Sequence, residues 1–194
     1  MAKLQENPYL VGKLLLAMPT MGDPRFHRAV IYLCAHDANG AMGLVINHTL
    51  PGLEFEELVE QLGITSDIEI RLDSDSVPVM SGGPVEAARG FLLHSNDFSQ
   101  PDTIRIDESC SVTGTLDALR EVATGKGPDQ ILFILGYAGW GAGQLDREIQ
   151  DNAWLVVDPD PEIIFHPDPE EKWTLAVQKL GFDPAMLSGT AGHA

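Results

Sequence analysis

The glycine-rich segment GYAGWGAGQL, residues 136–145, is the stretch whose composition and spacing most suggest chemistry. An apolar run, QILFIL, precedes it, and a polar, helix-like run, QLDREIQDN, overlaps its end. A strand, a glycine loop and a helix in that order hold phosphates in many nucleotide-binding proteins. The pattern therefore raises a nucleotide or anion site as one hypothesis.

The spacing within this segment departs from the known phosphate-binding patterns. From Gly136 to Gly143 the glycines follow G-x-x-G-x-G-x-G, whereas a dinucleotide loop needs G-x-G-x-x-G. Trp140 occupies the place where the backbone would have to approach a pyrophosphate, and no Gly-Lys-Ser/Thr is present. The simpler interpretation is that the glycines let Tyr137 and Trp140 pack close to the backbone.

Histidine, cysteine and serine offer the other candidate chemistry, a metal site or a nucleophile. Cys34 and His36 are two apart on a predicted strand and so share a face. The six histidines and two cysteines match no standard zinc spacing. Ser81 lacks the preceding glycine and the following helix that a serine nucleophile elbow needs. We expect no metal and no cofactor, and an enzyme is the less favoured class of protein.

Charge argues against one common class of function. The 194 residues include 12 Lys and Arg against 29 Asp and Glu, a formal net charge of −17. DNA-binding proteins place Lys and Arg against phosphates, and here the densest cationic spot is only RFHR at 25–28. We expect no direct nucleic-acid binding. The acidity serves solubility or forms a docking surface for a basic partner.

Composition indicates a cytoplasmic globular protein without membrane contact. Hydrophobic residues make up 44% and charged residues 21% of the chain, which suits a folded domain. The apolar run KLLLAMP at 13–19 is too short for a signal peptide, and no run approaches the ~20 residues of a membrane helix. Two cysteines, Cys34 and Cys110, agree with a reducing compartment.

The order of predicted elements favours an α+β fold in a single domain over 1–182, with 183–194 as a flexible tail. Apolar runs at 29–36 and 41–48 flank the turn DANG and predict a β-hairpin. Helical spacing predicts helices at 54–63, 115–125, 144–152 and 168–181. Further strands are predicted at 77–85, 90–95, 103–109, 130–137, 153–158 and 162–166.

Three longer segments resemble the signature blocks of the YqgE/AlgH family of bacterial proteins. They are PTMGDPRFHRAVIYLCAHDANGAMGLVINH, SGGPVEAARGFLLHS and GYAGWGAGQLDREIQDNAWL, in the family's order. The resemblance covers roughly residues 8 to 180. It implies a coiled, partly bifurcated sheet of mixed and antiparallel strands flanked by helices. It implies no established catalytic activity, and the family is often labelled a transcriptional regulator.

The signature positions carry over residue by residue. The first block supplies Asp23, Pro24, Phe26, His36, Gly40, Gly43 and Asn47. The second supplies Gly82, Gly83, Pro84, Arg89, Gly90 and His94. The third supplies Gly136, Gly139, Trp140, Gly143, Gln144, Leu145, Glu148, Asn152 and Trp154. Ala29 and Ala35 depart from the family pattern, which weakens any acid or base role at those two positions.

Two functions remain open from the sequence. The first is a regulatory protein that acts through a protein partner or a small ligand, without direct DNA binding. The alternative is an enzyme or binding protein for an anionic, nucleotide-like molecule, using the glycine segment and the Arg89 guanidinium as a clamp. The candidate binding residues are Asp23, Phe26, His36, Asn47, Arg89, Gly139, Trp140, Gln144 and Asn152.

Overall fold

A computed structural model describes residues 8–64, 77–114 and 116–187, which form an α+β fold as predicted. The strands are β1 Leu14–Ala17, β2 Val30–Asp37, β3 Gly40–Val45, β4 Val79–Ser81, β5 Val85–Ser95, β6 Ile104–Arg105, β7 Cys110–Thr113, β8 Ile131–Gly141 and β9 Trp154–Val157. The helices are α1 Phe55–Gln61, α2 Leu116–Ala123, α3 Gln144–Gln150, α4 Pro161–Ile164 and α5 Glu171–Lys179. Short 3₁₀ helices span Pro24–Phe26 and Pro184–Leu187.

The predicted hairpin is confirmed, and its turn explains why the chain reverses there. β2 and β3 pair antiparallel as far as Asp37 and Gly40. The Asp37 carboxylate accepts a hydrogen bond from the Asn39 N–H at 2.7 Å. Gly40 has a φ of +148°, which a residue with a side chain rarely adopts. The Asp-Ala-Asn-Gly sequence therefore closes the turn through the residues that suit it.

The long strand β8 joins two halves of the sheet, whose order is β6-β7-β5-β8-β3-β2-β1-β9. Its first part pairs antiparallel with β5 and parallel with β4. Its last residues, 138–141, pair antiparallel with β3. Because β4 and β3 follow each other along β8, the sheet divides at this strand. The expected bifurcated sheet of mixed pairing is confirmed.

The branch point in β8 requires glycine at position 136. Gly136 has a φ of +77°, in the left-handed region. A Cβ at this position would lie 2.6 Å from the carbonyl oxygen of Gly83 and 3.2 Å from that of Val85. No side chain fits there without moving the backbone. This glycine lets two segments of main chain cross closely.

The glycine-rich segment 136–145 is mostly strand, so the interpretation as a phosphate loop loses its structural support. β8 continues through Gly141, and α3 begins at Gln144. Pairing with β3 holds residues 138–141 extended, so they cannot curl around an anion. The helix that follows has seven residues and carries Asp146 in its first turn, which opposes an anion.

The helices cover the sheet through three apolar clusters. In one cluster Trp173 of α5 packs over β1, β2 and β3. In a second, α1 and α2 pack over β5 and β8, around Leu119 and Phe133. The third joins α3 to β1, β2 and β3 around Trp140 and Leu145. This third cluster supports the candidate site.

The predicted strand at 162–166 is wrong, because these residues belong to a short helix. α4 starts after Asp160, whose carboxylate accepts a hydrogen bond from the Glu162 N–H at 3.0 Å. Pro161 at the first helical position has the φ that a helix needs. The capping residue and the proline together outweigh the strand preference of Ile163 and Ile164.

The strand predicted at 103–109 is cut short by Asp107. Its Oδ1 accepts hydrogen bonds from the N–H groups of Ser109 at 2.7 Å and Cys110 at 2.8 Å. This turn directs the chain into β7, so β6 retains two residues. Two other predictions fall partly outside the described residues, namely the helix start at Thr115 and the tail from 188 to 194.

Candidate functional site

An open pocket of about 370 Å³ brings together five of the nine predicted binding residues. It lies where the 3₁₀ helix Pro24–Phe26, the β4–β5 connection, the end of β8 and α3 meet. Its volume is within the ~300–1,000 Å³ typical of ligand sites. The five predicted residues are Asp23, Phe26, Gly139, Trp140 and Gln144. The other lining residues are Met21, Arg25, Pro84, Val85, Glu148 and Trp154.

Glu148 accepts hydrogen bonds from three side chains that form the floor of this pocket, those of Trp140, Gln144 and Trp154. Its Oε2 accepts hydrogen bonds from the indole N–H groups of Trp140 and Trp154, both at 2.8 Å. Its Oε1 accepts one from Gln144 Nε2 at 3.0 Å. The two indole rings meet edge to face, with centroids 5.8 Å apart. A carboxylate offers about four acceptor positions, so these three donors leave one free on Oε1.

Helical spacing explains why Gln144 and Glu148 act together. Residues four apart in a helix share a face, which places both side chains beside the end of β8. Gln144 Oε1 accepts a hydrogen bond from the Gly141 N–H at 3.0 Å. Gly143, with a φ of +68°, turns the chain from the strand into the helix. These hydrogen bonds attach α3 both to the end of β8 and to the two tryptophans of the pocket.

We expect Glu148→Ala to lower the free energy of unfolding by about 3 kcal/mol, because two buried indole N–H groups lose their acceptor at ~1–3 kcal/mol each. Trp140 and Trp154 are only 7% and 2% exposed, so water cannot easily replace that acceptor. Urea denaturation measures the loss. Glu148→Gln keeps one oxygen for both indoles and is expected to lose about 1 kcal/mol. Equal losses in the two variants would contradict this explanation.

A charged pair forms one wall of the pocket. Arg25 Nη2 lies 2.7 Å from Asp23 Oδ2, and Arg25 Nε lies 3.0 Å from Asp23 Oδ1. The hydrogen bonds from Arg25 hold the pKa of the Asp23 carboxyl below its usual value. Phe26 follows in the chain and meets the Trp154 ring edge to face at 5.6 Å. Because Asp23 and Arg25 neutralise each other, Glu148 is the uncompensated charge of the lining.

Gly139 in the pocket lining and Gly141, two residues further along β8, are not required to be glycine by the backbone conformation. Neither Gly139 nor Gly141 has a positive φ. A Cβ on Gly139 would meet Tyr137 Cε2 at 3.7 Å and Val85 Cγ2 at 3.9 Å, which are ordinary contacts. A Cβ on Gly141 would meet only the Gln144 side chain, at 3.8 Å. Both positions are exposed, so the missing side chains leave the end of β8 open.

Two of the four remaining predicted residues lie close to α3, one on β2 and one just after the helix ends. The His36 ring is buried, and its Nδ1 accepts a hydrogen bond from the Leu10 N–H at 3.0 Å. Its Nε2 lies 3.6 Å from Asp146 Oδ1. Asn152 follows the helix with a left-handed φ of +58°. Neither residue lines the pocket.

Arg89 lies on an exposed part of β5, outside the pocket lining. Its Nη1 is 3.2 Å from Glu86 Oε2, and its guanidinium lies 5.1 Å from the centre of the Phe91 ring. These contacts direct Arg89 along its own strand. The structure therefore does not bring Arg89 together with the predicted residues of the pocket.

Asn47 acts as a brace at the start of β2. Its Oδ1 accepts a hydrogen bond from the Val30 N–H at 2.8 Å, and its Nδ2 donates to the Arg28 carbonyl at 2.8 Å. It borders a wider, more open depression of about 860 Å³ beside α5. There the Arg28 guanidinium stacks 4.4 Å from the Trp173 ring centre and donates to Thr174 Oγ1. These groups bind one another, so we assign the candidate site to the smaller pocket.

Lys172 on α5 is an unexpected buried charge. Its side chain is fully buried, and its Nζ donates a hydrogen bond to the Ile46 carbonyl at 2.8 Å. Burial lowers the pKa of the Lys172 ammonium to about 7. Lys172 lines neither the pocket nor the wider depression.

The two cysteines are free thiols, and burial raises the pKa of Cys34 and of Cys110 to about 12. A thiol with so high a pKa is a poor nucleophile at neutral pH. Over the described ranges, no three His, Cys, Asp or Glu side chains converge to hold a metal ion. No helix in those ranges combines the length and apolar character needed to cross a membrane.

Sequence reasoning missed six lining residues, and only some of them carried a usable signal. Glu148 follows Gln144 by one helical turn, so its presence on the same face was predictable. Trp154 was a signature position but was not included among the binding residues. Pro84 was also a signature position that was not included, and Val85 begins β5, whose place beside the pocket depends on the branch of the sheet and is indicated by no local pattern.

Comparison with known proteins gives consistent relatives over nearly the whole chain. A family model described as AlgH-like matches residues 14–185. The UPF0301 protein of Bradyrhizobium diazoefficiens is 52% identical over 190 residues, covering 96% of this chain and 89% of that protein. The UPF0301 protein of Rhodospirillum rubrum is 50% identical over 186 residues, covering 96% and 95%.

Two solved structures share the fold. The solution structure of the AlgH protein from Pseudomonas aeruginosa superposes with a TM-score of 0.77 at 41% identity, covering 99% of this chain and 100% of that one. A crystal structure of a protein from Corynebacterium diphtheriae superposes with a TM-score of 0.71, covering 99% and 96%. At 18% identity this second match bears on the fold alone.

Proposed function

Because this chain belongs to the AlgH-like family, we propose that it is a regulatory protein that acts by binding a protein partner at the pocket between β8 and α3. The observation that supports this proposal is that Gly139 and Gly141 are both glycine, although the backbone conformation requires it at neither position. Glycine within a strand costs about 0.5–1 kcal/mol relative to alanine. Keeping it at two open positions suits a surface that another molecule approaches closely.

The polar groups of the pocket suit recognition better than catalysis. Glu148 accepts three hydrogen bonds from the protein, and Asp23 is paired with Arg25. The lining contains no serine, cysteine or histidine. Many nucleophilic and acid–base mechanisms use such groups, and the two carboxylates of the lining are already engaged by protein donors. This composition supports a binding role.

Charge supports a protein partner over DNA, and it argues against an anionic small molecule. The chain carries a net charge of −17, and the charged lining residues are two acids and one base. DNA phosphates are repelled by such a surface. The alternative of an anionic ligand held by Arg89 and a glycine loop loses support, because Arg89 is paired with Glu86 and the segment is a strand. The proposal includes a cytoplasmic setting, supported by the two free thiols.

Photo-cross-linking from inside the pocket tests this proposal. We expect p-benzoylphenylalanine in place of Met21, in the cells that make the protein, to form one specific adduct with another protein. The same substitution at Met186, which is 81% exposed and lies outside the pocket, should not form it. Gly139→Leu should fill the pocket and remove the adduct. Gly114→Leu, at a similarly open glycine of unstrained φ on the far half of the sheet, should retain it.

Three results would contradict the proposal. The first is the absence of an adduct from Met21. The second is an adduct that persists in Gly139→Leu while the variant remains folded by circular dichroism. The third is stable binding of a DNA duplex at low salt.

A further inference from the structure

The edge of β8 that borders the pocket has no strand beside it in the described part of the chain. The pairing between β5 and β8 ends at Val85 and Tyr137. On its other side, β8 remains paired with β3 as far as Gly141. Residues 138–141 therefore have a strand on one side only, within the ranges that the structure describes. An exposed strand edge of this kind is a template for pairing with another chain.

The backbone groups of Gly139 point to this edge. In an antiparallel pair, the N–H and C=O groups of successive residues point alternately to the two sides. The Gly141 N–H donates to the Gln144 side chain rather than to β3. The Trp140 carbonyl, between the two glycines, faces Gly40 of β3. Gly139, two residues before Gly141, therefore directs its N–H and C=O to the pocket side.

The shape of the pocket allows an extended chain to reach this edge. The absent side chains of Gly139 and Gly141 leave the backbone accessible, and both residues are exposed. The stretch from Gly139 to Gly141 gives room for about three residues of added strand, at ~3.3 Å per residue. Gln144 caps the Gly141 N–H, which limits pairing at the far end.

The charge and the aromatic floor of the pocket select a basic side chain. Glu148 has one acceptor position left on Oε1, and it is the uncompensated charge of the lining. The net charge of −17 adds a field that attracts cations. The rings of Phe26, Trp140 and Trp154 can pack against the aliphatic stem of a lysine or arginine. A charge-assisted hydrogen bond to Glu148 would fix its end.

We propose that the pocket takes an extended segment of a partner protein as an added strand along the Gly139–Gly141 edge of β8, with a lysine or arginine of that segment donating to Glu148. This inference rests on the proposed function and names its binding mode and the chemistry of the partner. Main-chain hydrogen bonds give such a complex its affinity, and the side-chain pocket gives it specificity.

Titration with synthetic peptides tests the inference, using calorimetry and the amide NMR shift of Gly139. The probe is an acetylated and amidated heptapeptide of alternating threonine and valine with a central arginine, which favours an extended form. We expect it to bind and to shift the Gly139 amide. Two versions N-methylated on alternate amides should differ, and the one whose methyl groups face β8 should bind about 10-fold more weakly, the effect of about one main-chain hydrogen bond.

Charge and position are tested with matched variants. Replacing the central arginine of the peptide by glutamate should weaken binding about 10-fold, a typical effect of a charge-assisted contact. Glu148→Gln should remove most of the difference in affinity between the arginine and the glutamate peptide while the protein stays folded. Gly139→Leu should abolish binding, and Gly114→Leu should leave it unchanged.

Several results would overturn the inference. No binding of the probe would do so, as would equal affinity of the two N-methylated peptides or a preference for the glutamate peptide. If argininamide binds as tightly as the peptide, the site recognises a small cation and not an added strand. A dimer that Gly139→Leu dissociates would assign the edge to a second copy of this chain. In each case the cross-link from Met21 still reports separately on the proposed function.

Discussion

Gly136→Ala is expected to lower the free energy of unfolding by about 4 kcal/mol or more, enough to leave much of the protein unfolded. Alanine would have to adopt the φ of +77° of Gly136, and its Cβ would press on the Gly83 carbonyl from 2.6 Å. The left-handed conformation alone costs roughly 1–2 kcal/mol. The remainder comes from moving main chain at the branch of the sheet, where β4, β5 and β8 meet.

Gly139→Ala is the matched control, in the same strand and three residues later. Its φ is not positive and its Cβ would make only ordinary contacts, so a change within about 1 kcal/mol is expected. Thermal melts should show a drop of about 10 °C for Gly136→Ala, at ~2–4 °C per kcal/mol for a chain of this size. Similar melting temperatures for the two variants would refute the close crossing of main chain at Gly136.

Lys172→Met is expected to remove a dependence of stability on pH between 7 and 9. The folded protein holds the pKa of Lys172 at about 7, against ~10.4 in an unfolded chain. Between these values the unfolded state binds the extra proton, so the wild-type protein gains stability as pH rises. The gain is about 1.4 kcal/mol per pH unit once the native lysine is neutral. Urea denaturation at several pH values measures the slope.

The buried thiols set the upper limit of pH for that experiment. Burial raises the pKa of Cys34 and Cys110 from 9.0 to about 12, so their contribution to stability is lost as pH rises above 9. Lys172→Met and the wild-type protein share this loss, and their difference isolates the lysine. Lys179→Met, at the exposed end of the same helix, should keep the wild-type slope. If Lys172→Met keeps the wild-type slope of unfolding free energy against pH, then Lys172 remains charged in the folded wild-type protein.

Local patterns in the sequence predicted the elements that depend on local rules. The Asp-Ala-Asn-Gly turn predicted the hairpin, and helical spacing predicted α1, α2, α3 and α5. The family resemblance supplied the bifurcated sheet, which no local pattern indicates. At 162–166 the two isoleucines suggested a strand, but Asp160 and Pro161 together start a helix. Here a capping signal was present in the sequence and was given too little weight.

The composition of the pocket could be predicted only in part, because it depends on distant segments meeting. Asp23, Gly139 and Gln144 come from signature blocks more than a hundred residues apart, and the pairing of β3 with β8 brings them together. His36 and Asn47 belong to the first block as well, yet they brace neighbouring backbone instead. The burial of Lys172 was not predictable, because its partner is a backbone carbonyl of β3's continuation.

The central place of β8 in the sheet also dictates when the protein can fold during its own synthesis. β3 ends at Val45, yet the strand that covers its open side ends at Gly141. At a translation rate of ~5–20 residues per second, the hairpin waits roughly 5 to 20 seconds on the ribosome before that strand emerges. In the later part of this interval, once β5 has been made, the nascent chain exposes the edges of β3 and β5 together. Misassembly is therefore most favoured before synthesis is complete. When β8 emerges, it pairs with both β3 and β5 and covers the two exposed edges.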